Sequence, residues 1–312
     1  MTGLALLFPG QGSQAVGMGR DLAASSPAAR EIFARANAAL GFDLSAICFE
    51  GPEAELRRTA VTQPAILATS VAAWTLLRER GVRASVVAGH SLGEYSALVA
   101  AGTLRFEDAV KTVHLRGKLM QDAVPEGCGA MAAILGLEAD AVEAICSSAA
   151  QGEVVSCANY NSPGQVVIAG HAGAVDRAIR LASEQGASKA VRLPVSAPFH
   201  CALMQPAQER LATHLAALPF ADPDTPVLAN VDATARTQGE ACRAALLAQV
   251  TAPVRWEASM RRLPEYGVAR ALEVGPGRVL CGLLRRIDRT LECQAVGDAP
   301  GLEAALPALE RR

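Results

Sequence analysis

The sequence Gly89-His90-Ser91-Leu92-Gly93 has the G-x-S-x-G pattern of a serine nucleophile. It lies between an apolar run at residues 85–88, which indicates a strand, and a helical run at residues 94–101. In a strand–turn–helix setting the turn lifts the serine hydroxyl clear of the sheet, and the Leu92 N–H points to where an oxyanion would form. Ser91 is therefore a candidate nucleophile. The alternative is an ordinary β–α turn rich in small residues.

A serine hydroxyl becomes a useful nucleophile only when a base takes its proton, and a histidine is the usual base. His200 is the candidate, because Pro198-Phe199-His200-Cys201 stands where the chain returns from one predicted domain to another. Such a crossing borders a cleft. The sequence around His200 carries no stronger signal of its own.

We expect the other histidines to have structural rather than catalytic roles. His90 adjoins the nucleophile, so its side chain should point away from Ser91 and pack or line the pocket. His114 and His214 stand in helical stretches and are expected to be core or solvated residues. His171 follows a predicted strand and is expected in a loop.

A glycine-rich loop, Pro9-Gly10-Gln11-Gly12-Ser13-Gln14, follows the first apolar run. One interpretation is a phosphate-binding loop, although the dinucleotide fingerprint would require glycine at position 15, which is Ala15. The other is a loop whose backbone N–H groups supply a second oxyanion donor. The local residues leave both open.

The elements that must position these residues alternate between strand and helix. Strands are predicted at residues 4–8, 85–88, 227–231 and 270–274, and helices at 27–40, 64–80 and 203–218. This order predicts an α/β fold with a mainly parallel sheet. Aromatic residues make up only 4% of the 312 residues, which favours helices packed on a sheet over an aromatic-rich β-sandwich.

The middle of the chain has a different order of elements. Strands are predicted at residues 130–135, 154–158, 166–169 and 189–193, with helices at 139–149 and 172–185. The β-α-β-β-α-β order is typical of a ferredoxin-like unit, which can be inserted into another domain. We therefore predict a large domain at residues 1–126 and 197–312, with an inserted domain at residues 127–196.

Composition narrows the function further. A net charge of -2 gives no reason to expect nucleic acid or an anionic membrane as a partner. The eight cysteines form no C-x-x-C pair, so we expect no metal site but buried thiols of a reducing compartment. Because the N-terminus lacks a basic n-region, a cytoplasmic location is expected. The long uncharged stretch at residues 61–77 is interpreted as a buried helix rather than a membrane span.

Several motifs together resemble one family. They are Gly10-Gln11-Gly12-Ser13-Gln14, Thr62-Gln63-Pro64-Ala65, Gly89-His90-Ser91-Leu92-Gly93-Glu94-Tyr95-Ser96, Arg116-Gly117-Lys118-Leu119-Met120-Gln121, Asn159-Tyr160-Asn161-Ser162-Pro163-Gly164-Gln165, Pro198-Phe199-His200 and Glu273-Val274-Gly275-Pro276-Gly277. In this order, from about residue 4 to 290, the chain resembles the malonyl-CoA:acyl carrier protein transacylases of fatty acid synthesis.

The resemblance implies an α/β-hydrolase-like large domain with an inserted ferredoxin-like domain. It implies that Ser91 is acylated and that His200 is the base and then the acid. It implies an oxyanion hole formed by the N–H groups of Gln11 and Leu92, and a main-chain carbonyl at Gln249 that orients the base.

Arg116 matches the family's carboxylate clamp, and a guanidinium can offer two parallel donors to a carboxylate. We expect the pocket lining to include His90, Met120, Asn161 and Phe199. Some family members carry a small polar residue where Phe199 stands, and the bulk of Phe199 should disfavour a branched methylmalonyl group.

The implied reaction transfers malonyl from malonyl-CoA to the phosphopantetheine thiol of acyl carrier protein through a malonyl-serine, without a cofactor. We expect a monomer and a basic docking rim, for which Lys189, Arg192, Arg285 and Arg286 are candidates. Three alternatives stay open: a thioesterase or esterase, a non-catalytic binding module, and a malonyl transferase of a polyketide pathway.

Overall fold

The computed structural model describes residues 3–195 and 197–310. Its strands are β1 (Gly3–Phe8), β2 (Val86–Gly89), β3 (Gly129–Leu135), β4 (Val155–Ser162), β5 (Gln165–His171), β6 (Lys189–Arg192), β7 (Val227–Leu228), β8 (Ala235–Arg236), β9 (Val268–Val274) and β10 (Glu292–Val296). Its first seven helices are α1 (Arg20–Ser25), α2 (Pro27–Leu40), α3 (Leu44–Glu50), α4 (Glu53–Leu56), α5 (Thr59–Glu79), α6 (Gly93–Ala100) and α7 (Phe106–Asp122). The remaining helices are α8 (Ala139–Ala150), α9 (Ala172–Glu184), α10 (Gln205–Ala216), α11 (Gly239–Gln249), α12 (Trp256–Arg261), α13 (Val279–Ile287) and α14 (Ala299–Glu310), and 3₁₀ turns occupy Ala202–Met204 and Leu263–Tyr266.

The larger sheet has the strand order β10-β9-β1-β2-β7-β8. Of the strands that the structure describes in this sheet, only β8 runs antiparallel to its neighbour, and Phe8 of β1 lies beside Gly89 of β2. The predicted α/β fold with a parallel sheet is confirmed. The carboxyl ends of β1, β2 and β7 share one edge of the sheet, which is where α/β proteins place their ligands. The predicted strand at 227–231 is shorter than expected, because the chain leaves the sheet after Leu228.

By length and composition, helix α5 could cross a membrane. However, its most apolar 18-residue stretch is 94% buried inside the protein. It is a core helix. The prediction that Pro64 begins this helix is wrong, since α5 begins at Thr59. Pro64 has no N–H to donate to the carbonyl of Ala60, one turn earlier. That carbonyl instead accepts a hydrogen bond from His114 Nδ1 at 2.7 Å, which explains how a proline is accommodated inside the helix.

The smaller sheet is antiparallel, with the order β4-β5-β3-β6. With α8 and α9 it has the ferredoxin-like order that the sequence predicts. Strand β4 also contacts the larger unit, because the Val254 N–H donates to Ala158 O and the Tyr160 N–H donates to Val254 O, both at 2.9 Å. The contact joins the end of β4 to the segment before α12. The predicted domain boundaries stay a prediction, and their limits at residues 1, 196 and 312 lie outside the described residues.

The cysteines differ from expectation at three positions. Cys281 and Cys293 form a disulfide, with Cα atoms 5.1 Å apart. Helix α13 packs beside β10, and this brings two residues twelve positions apart within reach of each other. Cys128 is a free thiol but exposed. The expectation of buried thiols therefore holds for the other five cysteines and is wrong for these three.

Candidate active site

Ser91 lies on a tight turn between β2 and α6, with a positive φ of 51° that non-glycine residues rarely adopt. The two motif glycines are required by close packing. A Cβ on Gly89 would lie 1.9 Å from the carbonyl of Gly93, and a Cβ on Gly93 would lie 2.1 Å from the carbonyl oxygen of Phe8. Larger residues would force the turn away from the sheet. The strand–turn–helix setting that the motif predicts is present.

His200 lies within hydrogen-bond distance of the serine, with Nε2 2.7 Å from Ser91 Oγ. Its Nδ1 is 2.9 Å from the main-chain oxygen of Gln249. Because a carbonyl only accepts, Nδ1 carries the proton and Nε2 presents its lone pair to the serine. Burial, reinforced by the charge of Arg116, lowers the pKa of His200 to about 3. The imidazole is therefore neutral and ready to accept a proton.

Arg116 of α7 is only 1% exposed, yet it faces the nucleophile. Its Nη2 is 3.3 Å from Ser91 Oγ and donates to Gln249 Oε1 at 2.9 Å, while Nη1 donates to Gln63 Oε1 at 3.0 Å. Burial lowers the pKa of Arg116, but a guanidinium keeps its charge in proteins. Among the described residues, its hydrogen-bond acceptors are neutral oxygens. A buried cation with neutral partners is a suitable binding group for a substrate carboxylate.

Three further residues belong to the site, and no sequence pattern predicted a role for them: Gln63, Glu94 and Asn230. Asn230 Oδ1 accepts the Ser91 N–H at 2.7 Å. Glu94 Oε2 accepts hydrogen bonds from the Asn230 N–H at 3.0 Å and from Gln249 Nε2 at 2.7 Å. Burial raises the pKa of Glu94 to about 7. Gln63 and Glu94 belong to motifs that carry the family resemblance, so the sequence did indicate that they lie near the site. Asn230 had none, since its role depends on where β7 ends.

The two expected oxyanion donors lie on adjacent loops. The loop after β1 packs against the nucleophile turn, as shown by the His90 N–H, which donates to Phe8 O at 3.0 Å. Among the described residues, the N–H groups of Gln11 and Leu92 have no hydrogen-bond acceptor. The N–H groups of Gly12 and Ser13 are bonded inside their own loop. This arrangement favours an isolated donor at Gln11 over a phosphate cradle, which needs several converging N–H groups.

The expected pocket residues lie in two groups. His90 Nε2 donates to Asn161 Oδ1 at 2.8 Å, and this pair joins the nucleophile turn to the end of β4. Met120 lies one turn beyond Arg116 on α7, and Phe199 precedes His200; both are buried. The expectation that His90 points away from Ser91 stays a prediction.

The remaining histidines have structural contacts. His114 donates to Ala60 O on α5, as described above, and His214 lies 2.9 Å from Thr112 Oγ1. His171 ends β5 instead of lying in a loop, so that expectation is wrong. Its Nδ1 accepts the N–H of Val154, the residue before β4, at 2.9 Å and so extends the contact between β4 and β5.

Comparisons with known proteins agree on one family. The acyl transferase domain family matches residues 5–299. The malonyl CoA-acyl carrier protein transacylase of Escherichia coli K12 is 52% identical over 307 residues, which cover 98% of this chain and 99% of that protein. The crystal structure of an acyl carrier protein S-malonyltransferase from Vibrio cholerae has a TM-score of 0.95 and 52% identity, covering 97% of this chain and 100% of that one. A structure of a malonyl-transacylase in complex with its type II polyketide synthase acyl-carrier protein has a TM-score of 0.96 and 50% identity. The match covers 98% of this chain and 100% of that one.

Proposed function

Because this chain belongs to the acyl transferase domain family, we propose that Ser91 carries the malonyl group as an ester during transfer. The enzyme is an acyltransferase that moves malonyl from malonyl-CoA to the phosphopantetheine thiol of acyl carrier protein. The observation that carries the assignment of the nucleophile is the distance of 2.7 Å between Ser91 Oγ and His200 Nε2. We propose that the malonyl group it transfers is used in fatty acid synthesis.

In the first half-reaction, Ser91 Oγ attacks the thioester carbon while His200 Nε2 takes the hydroxyl proton. The carbonyl oxygen becomes an oxyanion between the N–H groups of Gln11 and Leu92. A donor of this kind is worth about 2.7–4 kcal/mol in the transition state. When the carbon–sulfur bond breaks, His200 returns the proton to the sulfur of coenzyme A. A malonyl ester remains on Ser91.

The second half-reaction reverses these steps with a different thiol. His200 takes the proton of the phosphopantetheine thiol, the sulfur attacks the ester carbon, and Ser91 Oγ leaves with the proton restored. One thioester replaces another, so the chemistry needs no redox step, and we propose that it proceeds without a cofactor. The two bonds exchanged are of the same kind, and the equilibrium constant should be near one.

Arg116 supplies selectivity for an acyl group that ends in a carboxylate. Malonate's free carboxylate would bind the guanidinium that now contacts neutral oxygens. Binding would also offset the positive charge that helps to keep the pKa of His200 low. The same carboxylate that is recognised would therefore make the base stronger during acylation.

A serine hydrolase with the same dyad is the main rival reaction. Hydrolysis requires a water, activated by His200, to attack the malonyl ester beside the clamped carboxylate. The described partner of His200 Nδ1 is a main-chain carbonyl and not a carboxylate. Product analysis with and without a thiol acceptor separates the two reactions, and transfer to the thiol is expected to dominate.

The decisive experiment is the intact mass of the protein after incubation with malonyl-CoA. We expect one malonyl adduct, mapped to the peptide that contains Ser91, and its disappearance when the acyl carrier protein is added. Ser91→Ala should keep the fold, measured by circular dichroism, and form no adduct. An adduct of the same mass on Ser91→Ala would refute the assignment.

Docking of the carrier protein on a basic rim stays a prediction. Arg192 forms an ion pair with Asp176, and Arg286 Nη1 donates to Gln165 Oε1 at 3.2 Å. Lys189 and Arg285 are exposed. Acidic carrier proteins would be attracted to such cations. A cytoplasmic location and a monomeric state are likewise proposals.

A further inference from the structure

The carboxyl group of Glu94 lies behind the reacting atoms, on the first turn of α6, and the residue is only 2% exposed. Its Oε2 accepts two hydrogen bonds, one from Gln249 Nε2 at 2.7 Å and one from the Asn230 N–H at 3.0 Å. In the described part of the chain, no hydrogen bond joins it to Ser91 or His200 directly. The Glu94 side chain therefore reaches the nucleophile through these two partners, while the Glu94 backbone N–H itself donates to Ser91 O at 3.1 Å.

Both partners hold the backbone of the nucleophile. Asn230 Oδ1 accepts the Ser91 N–H at 2.7 Å, and Asn230 Nδ2 donates to Gly89 O at 2.7 Å. Gln249 Nε2 donates to Ser91 O at 3.0 Å. Ser91 has the positive φ that non-glycine residues adopt only when their surroundings impose it. These contacts hold both the N–H and the carbonyl of Ser91.

Gln249 also connects the nucleophile to the base and to the clamp. Its main-chain oxygen accepts the His200 Nδ1 proton, and its Oε1 accepts from Arg116 Nη2 at 2.9 Å. Rotating the amide by half a turn would place its NH₂ group against Arg116, donor against donor. The Glu94 oxygen accepts the NH₂ group and so selects the orientation in which Oε1 faces the arginine.

We infer that Glu94 is a positioning residue, whose acceptor oxygen fixes Asn230 and Gln249 and through them the nucleophile, the base and the clamp. The inference rests on the proposed role of Ser91. In a Ser-His-Asp triad, an acidic residue orients the histidine by a direct hydrogen bond. Here a buried carboxyl group would have an orienting role from two hydrogen bonds away from the serine. What matters is the place of the acceptor oxygen.

Two substitutions distinguish the effect of the position of this oxygen from the effect of its charge. Glu94→Gln keeps the length of the side chain and offers a carbonyl oxygen at the position of Oε2. Glu94→Asp keeps the carboxyl group but withdraws it by about 1.5 Å, the length of one carbon–carbon bond. The readout is the rate at which an uncharged fluorophosphonate ester labels Ser91. This reaction forms the Oγ–P bond, expels fluoride and passes the hydroxyl proton to His200, with no carboxylate for Arg116 to bind.

We expect Glu94→Gln to label within about threefold of the wild-type rate. Glu94→Asp should label about 10–100-fold more slowly, as displacements near 1 Å at an active site can cost about 100-fold. Wild-type labelling by Glu94→Asp would overturn the inference. So would a loss in Glu94→Gln as large as that in Glu94→Asp, because an acceptor oxygen kept at the position of Oε2 would then not be enough.

Glu273 provides the matched control. It is a buried carboxyl group of β9, two strands from the nucleophile, and its Oε2 accepts the Cys281 N–H at 2.8 Å at the start of α13. Glu273→Asp should lower the melting temperature and leave the labelling rate unchanged. A loss of labelling equal to that of Glu94→Asp would make both effects general destabilisation and overturn the inference.

Two further variants complete the test. If Glu94→Asp does not fold, Asn230→Ala breaks the same link at the Ser91 N–H and keeps the main-chain donor to Glu94. Slow labelling supports the inference and wild-type labelling overturns it. Ser91→Ala must not label at all. Labelling of that variant would refute the proposed nucleophile, whereas an inert Ser91→Ala with normal Glu94→Asp would refute only the role of Glu94.

Discussion

Arg116 Nη2 lies 3.3 Å from Ser91 Oγ, so the buried cation contacts the nucleophile directly. The contact has two opposite consequences. A positive charge beside the hydroxyl favours its ionised form, but the same charge disfavours protonation of His200, which is bonded to that hydroxyl. A substrate carboxylate bound to Arg116 removes the second effect. Recognition and activation are thereby coupled.

Replacing Arg116 with alanine should remove the preference for malonyl over acetyl thioesters. A charge-assisted hydrogen bond contributes about 1.5–3 kcal/mol, so the ratio of kcat/KM for the two substrates should fall by about one to two decades. Arg105→Ala is the control, because Arg105 is an exposed residue next to the start of the same helix. An unchanged ratio in Arg116→Ala would disprove the clamp.

The ionisation of His200 should be visible in its pH titration. With a pKa of about 3, the imidazole stays neutral down to acid pH, and it loses its function as a base only as the pH falls toward that value. In Arg116→Ala the pKa should rise toward the usual 6.5, since a neighbouring positive charge no longer opposes protonation. NMR titration of the His200 ring measures both. A midpoint near 6.5 in the wild-type protein would contradict the burial argument.

Glu94 should make stability fall with rising pH. Burial raises its pKa from 4.5 to about 7, so the folded protein holds this proton more tightly than the unfolded chain does. That contribution is fully present below pH 4.5 and is lost as the pH rises through about 7. Glu94→Gln cannot ionise, so its free energy of unfolding relative to wild type should increase between pH 5 and 8. Urea unfolding across this range measures the difference, and a constant difference would contradict the shift.

His114 should stabilise α5 by satisfying the carbonyl that Pro64 leaves unpaired. His114→Ala leaves the half-buried Ala60 O without that donor, which should cost about 0.5–1.5 kcal/mol in urea unfolding. In Pro64→Ala the restored N–H can bond Ala60 O within the helix, so removing His114 should then cost less. Additive effects in this double-mutant cycle would show that the two residues are not coupled.

The sequence predicted what local patterns encode. The glycines around Ser91 and the alternation of strands and helices determine the nucleophile turn and the two-unit fold. Glu94 stood inside a motif, yet its burial and its two donors depend on residues more than 130 positions away. Asn230 and the Cys281–Cys293 disulfide depend on how strands and helices pack. The prediction at Pro64 was wrong because proline favours the start of a helix, while its place inside α5 depends on His114 from another helix.

Gln249 bonds to Ser91 although the two residues are 158 positions apart in the chain. During synthesis, the nucleophile turn, the clamp and the whole small sheet emerge from the ribosome before this glutamine does. Contacts of such long range form late, because closing the intervening loop costs entropy. A nascent chain that ends before α11 therefore lacks the residue that aligns serine, histidine and arginine, and it should leave thioesters untouched. Acylation of Ser91 should therefore begin only after the segment that contains Gln249 has been made.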